Sequence, residues 1–113
     1  MPPTNVKAKL ADESTVVLTW ANSDDEVEKT IVEQSEDGNN YTQIASLEHG
    51  ETTYTVSQLT PKQVYFFRLK SIKGDKESSY SSVISINDEY MRPGGGITAD
   101  TKMFTPNPKK LYR

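Results

Sequence analysis

The stretch LTPKQVYFFRLKS, Leu59–Ser71, decides the fold. Taken by twos, Tyr65, Phe67, Leu69 and Ser71 share one face, and Phe66, Arg68 and Lys70 share the other. That is the period of a β-strand with one dry side and one partly wet side. A Leu-Thr-Pro turn leads into it, and Pro61 fixes the backbone angle of that turn. A strand that opens on a large ring must bury the ring and still find its hydroxyl a partner.

The flanking segments repeat the strand period. NVKAKL (Asn5–Leu10) alternates Val6, Ala8 and Leu10 with polar residues, and TVVLTW (Thr15–Trp20) places Val16, Leu18 and Trp20 together, with the turn ADES between them. KTIVEQS (Lys29–Ser35) runs into Asp37-Gly38, a hairpin signal, and YTQIASL (Tyr41–Leu47) is its partner. TYTVSQL (Thr53–Leu59) comes next, then the opening stretch to about Ile72, the turn KGDKES, and SYSSVISI (Ser79–Ile86). Seven short strands, with turns every eight to twelve residues, predict a seven-stranded antiparallel β-sandwich of immunoglobulin-like type. No segment within residues 1–86 carries a capped 3.6-residue period, so no helix is predicted there.

In such a sandwich, a tyrosine near the start of the sixth strand returns its hydroxyl to the chain a few residues upstream, forming a tyrosine corner. This role falls to Tyr65, with Leu59 plugging the core beneath the turn and Trp20 and Phe67 in the core. Here the sequence resembles the fibronectin type III domain. The resemblance rests on PPTNV at the start, LTW with Trp20, LTPKQVYFFRLKS, and SSYSSVISI, together with IVEQSEDGNNYTQIA, which is similar to the third and fourth strands of bacterial members. It covers Pro2 to about Ile86. The family often carries a large inward aromatic in its third strand. Here Thr30 holds that place, with Tyr41 or Tyr54 as candidates to fill the room left in the core.

Composition narrows the function. The 113 residues are 34% hydrophobic and net −3, with mean hydropathy −0.69. Residues 1–86 carry eight basic and thirteen acidic side chains, a balance of −5, and residues 87–113 carry five and three, a balance of +2. An acidic body argues against nucleic acid as its partner. No run reaches the length of a membrane span, and the N-terminus has no apolar segment of secretion-signal type. Without cysteine there is no disulfide and no thiolate metal site, and the single histidine, His49, reads as a solvated loop residue.

Four candidate sources of function stand in the chain. Lys73-Gly74-Asp75 is a near relative of the Arg-Gly-Asp tripeptide with which one family member engages integrins, but Gly and Asp also make an ordinary turn. Ser23–Glu28 gathers Asp24, Asp25, Glu26 and Glu28, which suit a hard cation, yet their spacing fits no EF-hand loop and reads as a solvated acidic loop. No nucleophile elbow, phosphate-binding glycine loop or HExxH is present, so the chain is read as non-enzymatic, without metal or cofactor.

The fourth is the extended arm, residues 87–113. Pro93, Pro106, Pro108 and the triplet Gly94–Gly96 keep it from folding alone. Tyr90, Met91, Ile97, Met103, Phe104, Leu111 and Tyr112 recur along it, with Lys102, Lys109, Lys110 and Arg113 between them. Flexible spacers rarely keep such anchors. The arm is therefore expected to dock on a protein partner or a multi-copy assembly, with GITADTKMF able to add as a strand. The reading is a sandwich, 1–86, anchored by its arm. It is similar to small decoration proteins of phage virions, at the virion surface, whose loops can meet surface glycans. The alternative is an accessory spacer or binding module of a secreted bacterial carbohydrate-active enzyme or adhesin.

Overall fold

The computed structural model describes residues 1–22 and 26–91. Among them are eight strands: β1 Thr4–Asp12, β2 Thr15–Ala21, β3 Lys29–Ser35, β4 Thr42–Glu48, β5 Thr53–Val56, β6 Tyr65–Lys73, β7 Lys76–Glu77 and β8 Ile84–Ile86. A 3-10 turn, Asp88–Tyr90, follows. All the pairings are antiparallel. One sheet is ordered β1-β2-β5, and the other β4-β3-β6, with β7 and β8 both pairing along the far side of β6.

The two sheets bury their alternating faces against each other. Val16, Leu18 and Trp20 of β2 meet Val32 of β3 and Tyr65, Phe67 and Leu69 of β6, with Val56, Leu59 and Ile86 completing the core. Each fully buried side chain of this size contributes roughly 1.5–3 kcal/mol of transfer free energy. One flank of the sandwich is closed by β8 lying against β1. On the opposite flank β4 and β5 are sheet edges, each paired on one side only among the described residues.

Residues 57–64 carry the chain from one sheet to the other. The Tyr65 ring is buried, and its hydroxyl accepts the backbone N–H of Thr60 at 2.9 Å. Leu59, also buried, gives its N–H to the carbonyl of Ser14 at 3.0 Å, tying the turn to the β1–β2 hairpin. Pro61 is exposed on the turn. Gln58 and Lys62, on either side of it, adopt positive φ.

Three local readings need correction. The last strand is not continuous from Ser79 to Ile86: only Ile84–Ile86, β8, is strand, the short β7 falls at Lys76–Glu77 inside the expected turn, and residues 78–83 lie in neither. Serine hydroxyls take over the pairing. Ser78 Oγ accepts the N–H of Ser71 at 2.8 Å, and Ser81 Oγ accepts that of Leu69 at 3.0 Å. The alternation that suggested a strand is real, but hydroxyls compete with carbonyls for the ladder.

Tyr41, secondly, does not fill the core. It lies on the outer face of the five-stranded sheet, under Arg68. Thr30 is buried inward at 1% exposure, and Tyr54 is the tyrosine that packs against the core. Thirdly, β5 stops at Val56 instead of Leu59, because Ser57 and Gln58 turn away toward the crossover.

Candidate functional site

The outer face of the five-stranded sheet holds a stacked array. Arg68 lies between two rings, its guanidinium carbon 3.9 Å from the centre of Tyr41 and 3.6 Å from that of Tyr80. Its Nε donates to Glu33 Oε1 at 2.8 Å, and Nη2 forms an ion pair with the same oxygen at 2.8 Å. Tyr80 donates its hydroxyl to Glu33 Oε2 at 3.2 Å, so one carboxylate gathers both neighbours. Glu33 is only 9% exposed, and a buried carboxylate of this kind needs such partners. Lys70 continues the array to Glu77 at 2.8 Å, and that hydrogen bond raises the lysine pKa. Burial raises the pKa of the Tyr41 hydroxyl, partly offset by Arg68. The groups mostly satisfy one another, which makes this face a rigid platform and not an open polar site.

The sequence pointed to Phe66 and Arg68 as the wet side of this strand, but not to Glu33, Tyr41 or Tyr80 as their neighbours. Those residues come from β3, the β3–β4 connection and the segment before β8, and only strand register brings them together. Phe66 is half-buried and borders the β3–β4 turn, where Gly38 adopts φ 80°, a left-handed backbone that favours glycine.

At one end of the sandwich, Lys73-Gly74-Asp75 forms the β6–β7 hairpin, with Gly74 at φ 64°. Lys73 pairs with Glu26, and the Gly74 N–H donates to Glu28 Oε1 at 3.2 Å. The described half of the acidic loop thus braces this turn. Asp24 and Asp25 lie outside the described residues, and among the described ones no group of three or more acidic or histidine side chains is arranged to hold a metal. His49 is exposed, yet its Nδ1 lies 2.7 Å from the carbonyl of Val27, where the protonated nitrogen donates.

On the open flank a cavity of about 520 Å³ lies between β4, β5 and the crossover. Val56, Leu59 and Tyr65 of the core reach it, with Ile44, Tyr54 and Gln34. Gln34 Oε1 is buried there without a hydrogen-bond partner among the described residues. No sequence pattern marks this groove, since it follows from where the two sheets stop pairing.

Of the arm, Tyr90 is 47% exposed, and Met91 caps the 3-10 turn, with its N–H on the carbonyl of Asp88 at 2.9 Å. Asn87 Nδ2 donates to the carbonyl of Gln63 at 2.8 Å, fastening the end of β8 beside the crossover. Ile97, Met103, Phe104, Lys109, Lys110, Leu111, Tyr112 and Arg113 lie outside the described residues.

Two antiparallel sheets of this order, joined through a tyrosine-locked crossover and presenting loops and one platform, define a β-sandwich of the structural and binding type. The sequence model of the fibronectin type III domain matches residues 1–87, and the chain belongs to that family. Among solved structures, a computationally redesigned β-sandwich protein is 24% identical, with TM-score 0.66 over 76% of this chain and 92% of its own. The titin fragment A168–A170 is 26% identical, with TM-score 0.62, but this chain spans only 29% of it. A Fn3-like protein from Clostridium thermocellum is 23% identical, with TM-score 0.66, covering 75% of this chain and 88% of that one. No curated protein matches the sequence. Domains of this family are generally non-catalytic binding or structural modules, and among the described residues no helix is long and apolar enough to cross a membrane.

Proposed function

We propose that this chain is a non-catalytic attachment module: residues 1–86 form the displayed domain, and residues 87–113 fasten it to a protein partner or a multi-copy assembly. The carrying observation is the arm's composition, in which large apolar side chains and four cations recur beyond Gly96, next to an acidic body. The exposed Tyr90 begins that series at the edge of the sandwich. An arm that orders on binding loses entropy, so it works through many weak contacts or through avidity among many copies. A virion surface, where decoration proteins repeat in register, is the setting that suits such avidity, with the sandwich loops facing outward toward surface glycans.

A second reading is an accessory spacer or binding module in a secreted enzyme or adhesin. It is favoured by the likeness to single domains within multi-domain fragments, the titin fragment among them. Capture from the source material separates the two, with the full chain, a chain ending at Met91 and a Leu111→Ala/Tyr112→Ala variant as baits. The arm reading expects a partner held by the full chain and lost from both variants. Equal capture by all three, or none, overturns it and leaves the spacer reading.

A further inference from the structure

We propose that the groove on the open flank is a binding site for a neutral saccharide. The proposal rests on the part of the attachment reading in which the displayed sandwich meets surface glycans, and it gives that contact a place independent of the arm.

Two positions that strand register aims between the sheets carry polar groups at the groove. Gln34 of β3 stands opposite Phe67, and Tyr54 of β5 stands opposite Leu18, so each faces the other sheet. A glutamine is a poor packing choice at a core-facing place, and its Oε1 is buried there with no partner among the described residues. Glu36, just after β3, and Gln58, at the start of the crossover, complete the polar lining. Gln58 is held at φ 62°, a left-handed backbone that a non-glycine residue seldom adopts. Among the described residues, none of these four side chains is hydrogen-bonded or ion-paired to a neighbour. The contrast is with the outer face, where Glu33, Arg68 and Tyr80 satisfy one another. Convergent polar groups that leave their bonds unmade are the mark of a ligand site.

The chemistry of the lining selects the ligand. The cavity of about 520 Å³ falls within the roughly 300–1,000 Å³ of small-ligand sites. Its mostly polar surface does not suit an apolar molecule. The carboxamides of Gln34 and Gln58 each donate and accept, as the neighbouring hydroxyls of a sugar do, and the Glu36 carboxylate accepts. The Tyr54 ring offers a flat, electron-rich face to the C–H side of a pyranose. Glu36 is the one charged side chain lining the cavity among the described residues, so an anionic ligand is disfavoured. An extended peptide would be read along the β5 edge alone, whereas these groups converge from β3 and its turn, from β5 and from the crossover, which suits a compact polyol. A few hydrogen bonds and one ring give an affinity of roughly millimolar order. Such a site becomes effective when many copies engage a surface together.

The test is an amide NMR titration of the full-length protein with the methyl glycosides of glucose, galactose and N-acetylglucosamine, and with N-acetylneuraminic acid as the anionic probe. The expected result is saturable shifts at residues 34–36 and 54–60 with at least one neutral sugar, and none with the acid. Gln34→Leu and Gln58→Gly should each weaken binding about tenfold, the effect of one lost hydrogen bond. Both variants should melt at or near the wild-type temperature, since leucine suits a core-facing place and glycine suits φ 62°. Loss of binding in them is then not loss of folding. Sugar-dependent shifts confined to the loops, with both variants binding as wild type, would overturn the groove as the site and leave the glycan reading standing. No saturable shift with any probe would overturn both, while the arm's attachment is decided separately by the capture experiment.

Discussion

The Tyr65 hydroxyl accepts the amide of Thr60 across the turn that joins the two sheets, at 2.9 Å. The ring is 4% exposed while Thr60 is exposed, so the bond links a core side chain to a surface turn. Tyr65→Phe keeps the packing and frees the Thr60 amide to water. The expected loss is about 1 kcal/mol, the lower end of the range for a hydrogen bond whose donor is rehydrated. Urea denaturation followed by Trp20 fluorescence measures it, and an unchanged midpoint would show that the corner contributes packing alone.

Arg68 is held by two rings and one buried carboxylate, so its removal strands Glu33. Arg68→Ala is expected to cost about 2–3 kcal/mol through the unpaired acid and the lost stacking. Arg68→Lys keeps the charge but loses the two-nitrogen contact and the planar stack, and should recover only part of that loss. Thermal unfolding of both variants checks the order, and equal stability of Lys and Arg at this place would refute the stacking account.

The Ser81 hydroxyl stands in for a strand carbonyl toward Leu69. Ser81→Ala leaves a buried amide without an acceptor and is expected to cost about 1–3 kcal/mol, whereas the exposed Ser82→Ala should stay within about 0.5 kcal/mol of wild type. Comparing the two midpoints isolates the hydrogen bond from the general loss of a serine.

The Asp37 carboxylate accepts the amides of Asn40 and Asn39, the Asn40 side chain and the Ser35 hydroxyl, and these bonds hold its pKa well below the usual carboxylate range. A pKa depressed in the folded state contributes stability that is present above the unfolded value near 3.8 and lost as pH falls below it. Wild type should therefore lose melting temperature between pH 5 and pH 2 more steeply than Asp37→Asn. Parallel slopes in the two proteins would remove Asp37 as the cause.

The strands were legible because burial leaves a period-two trace: Tyr65, Phe67, Leu69 and Ser71 face inward together, as their spacing indicated. The alternation at Ser79–Ile86 misled for the opposite reason, since a serine-rich segment can pair through its hydroxyls as well as its backbone. Tyr41 was misplaced because an aromatic after a hairpin turn suits either face, and the choice was made by Arg68, 27 positions away, which no local pattern reveals. The groove beside β5 left no trace in sequence, being defined by where pairing stops.

The serine segment also bears on self-association. Ser78 and Ser81 donate their hydroxyls to the carbonyls of Ser79 and Ser82, so part of the outward backbone on that flank is already occupied by its own side chains. A foreign strand arriving there would find acceptors taken and a ladder interrupted between β7 and β8, which guards the flank against fibril-like stacking of neighbouring molecules.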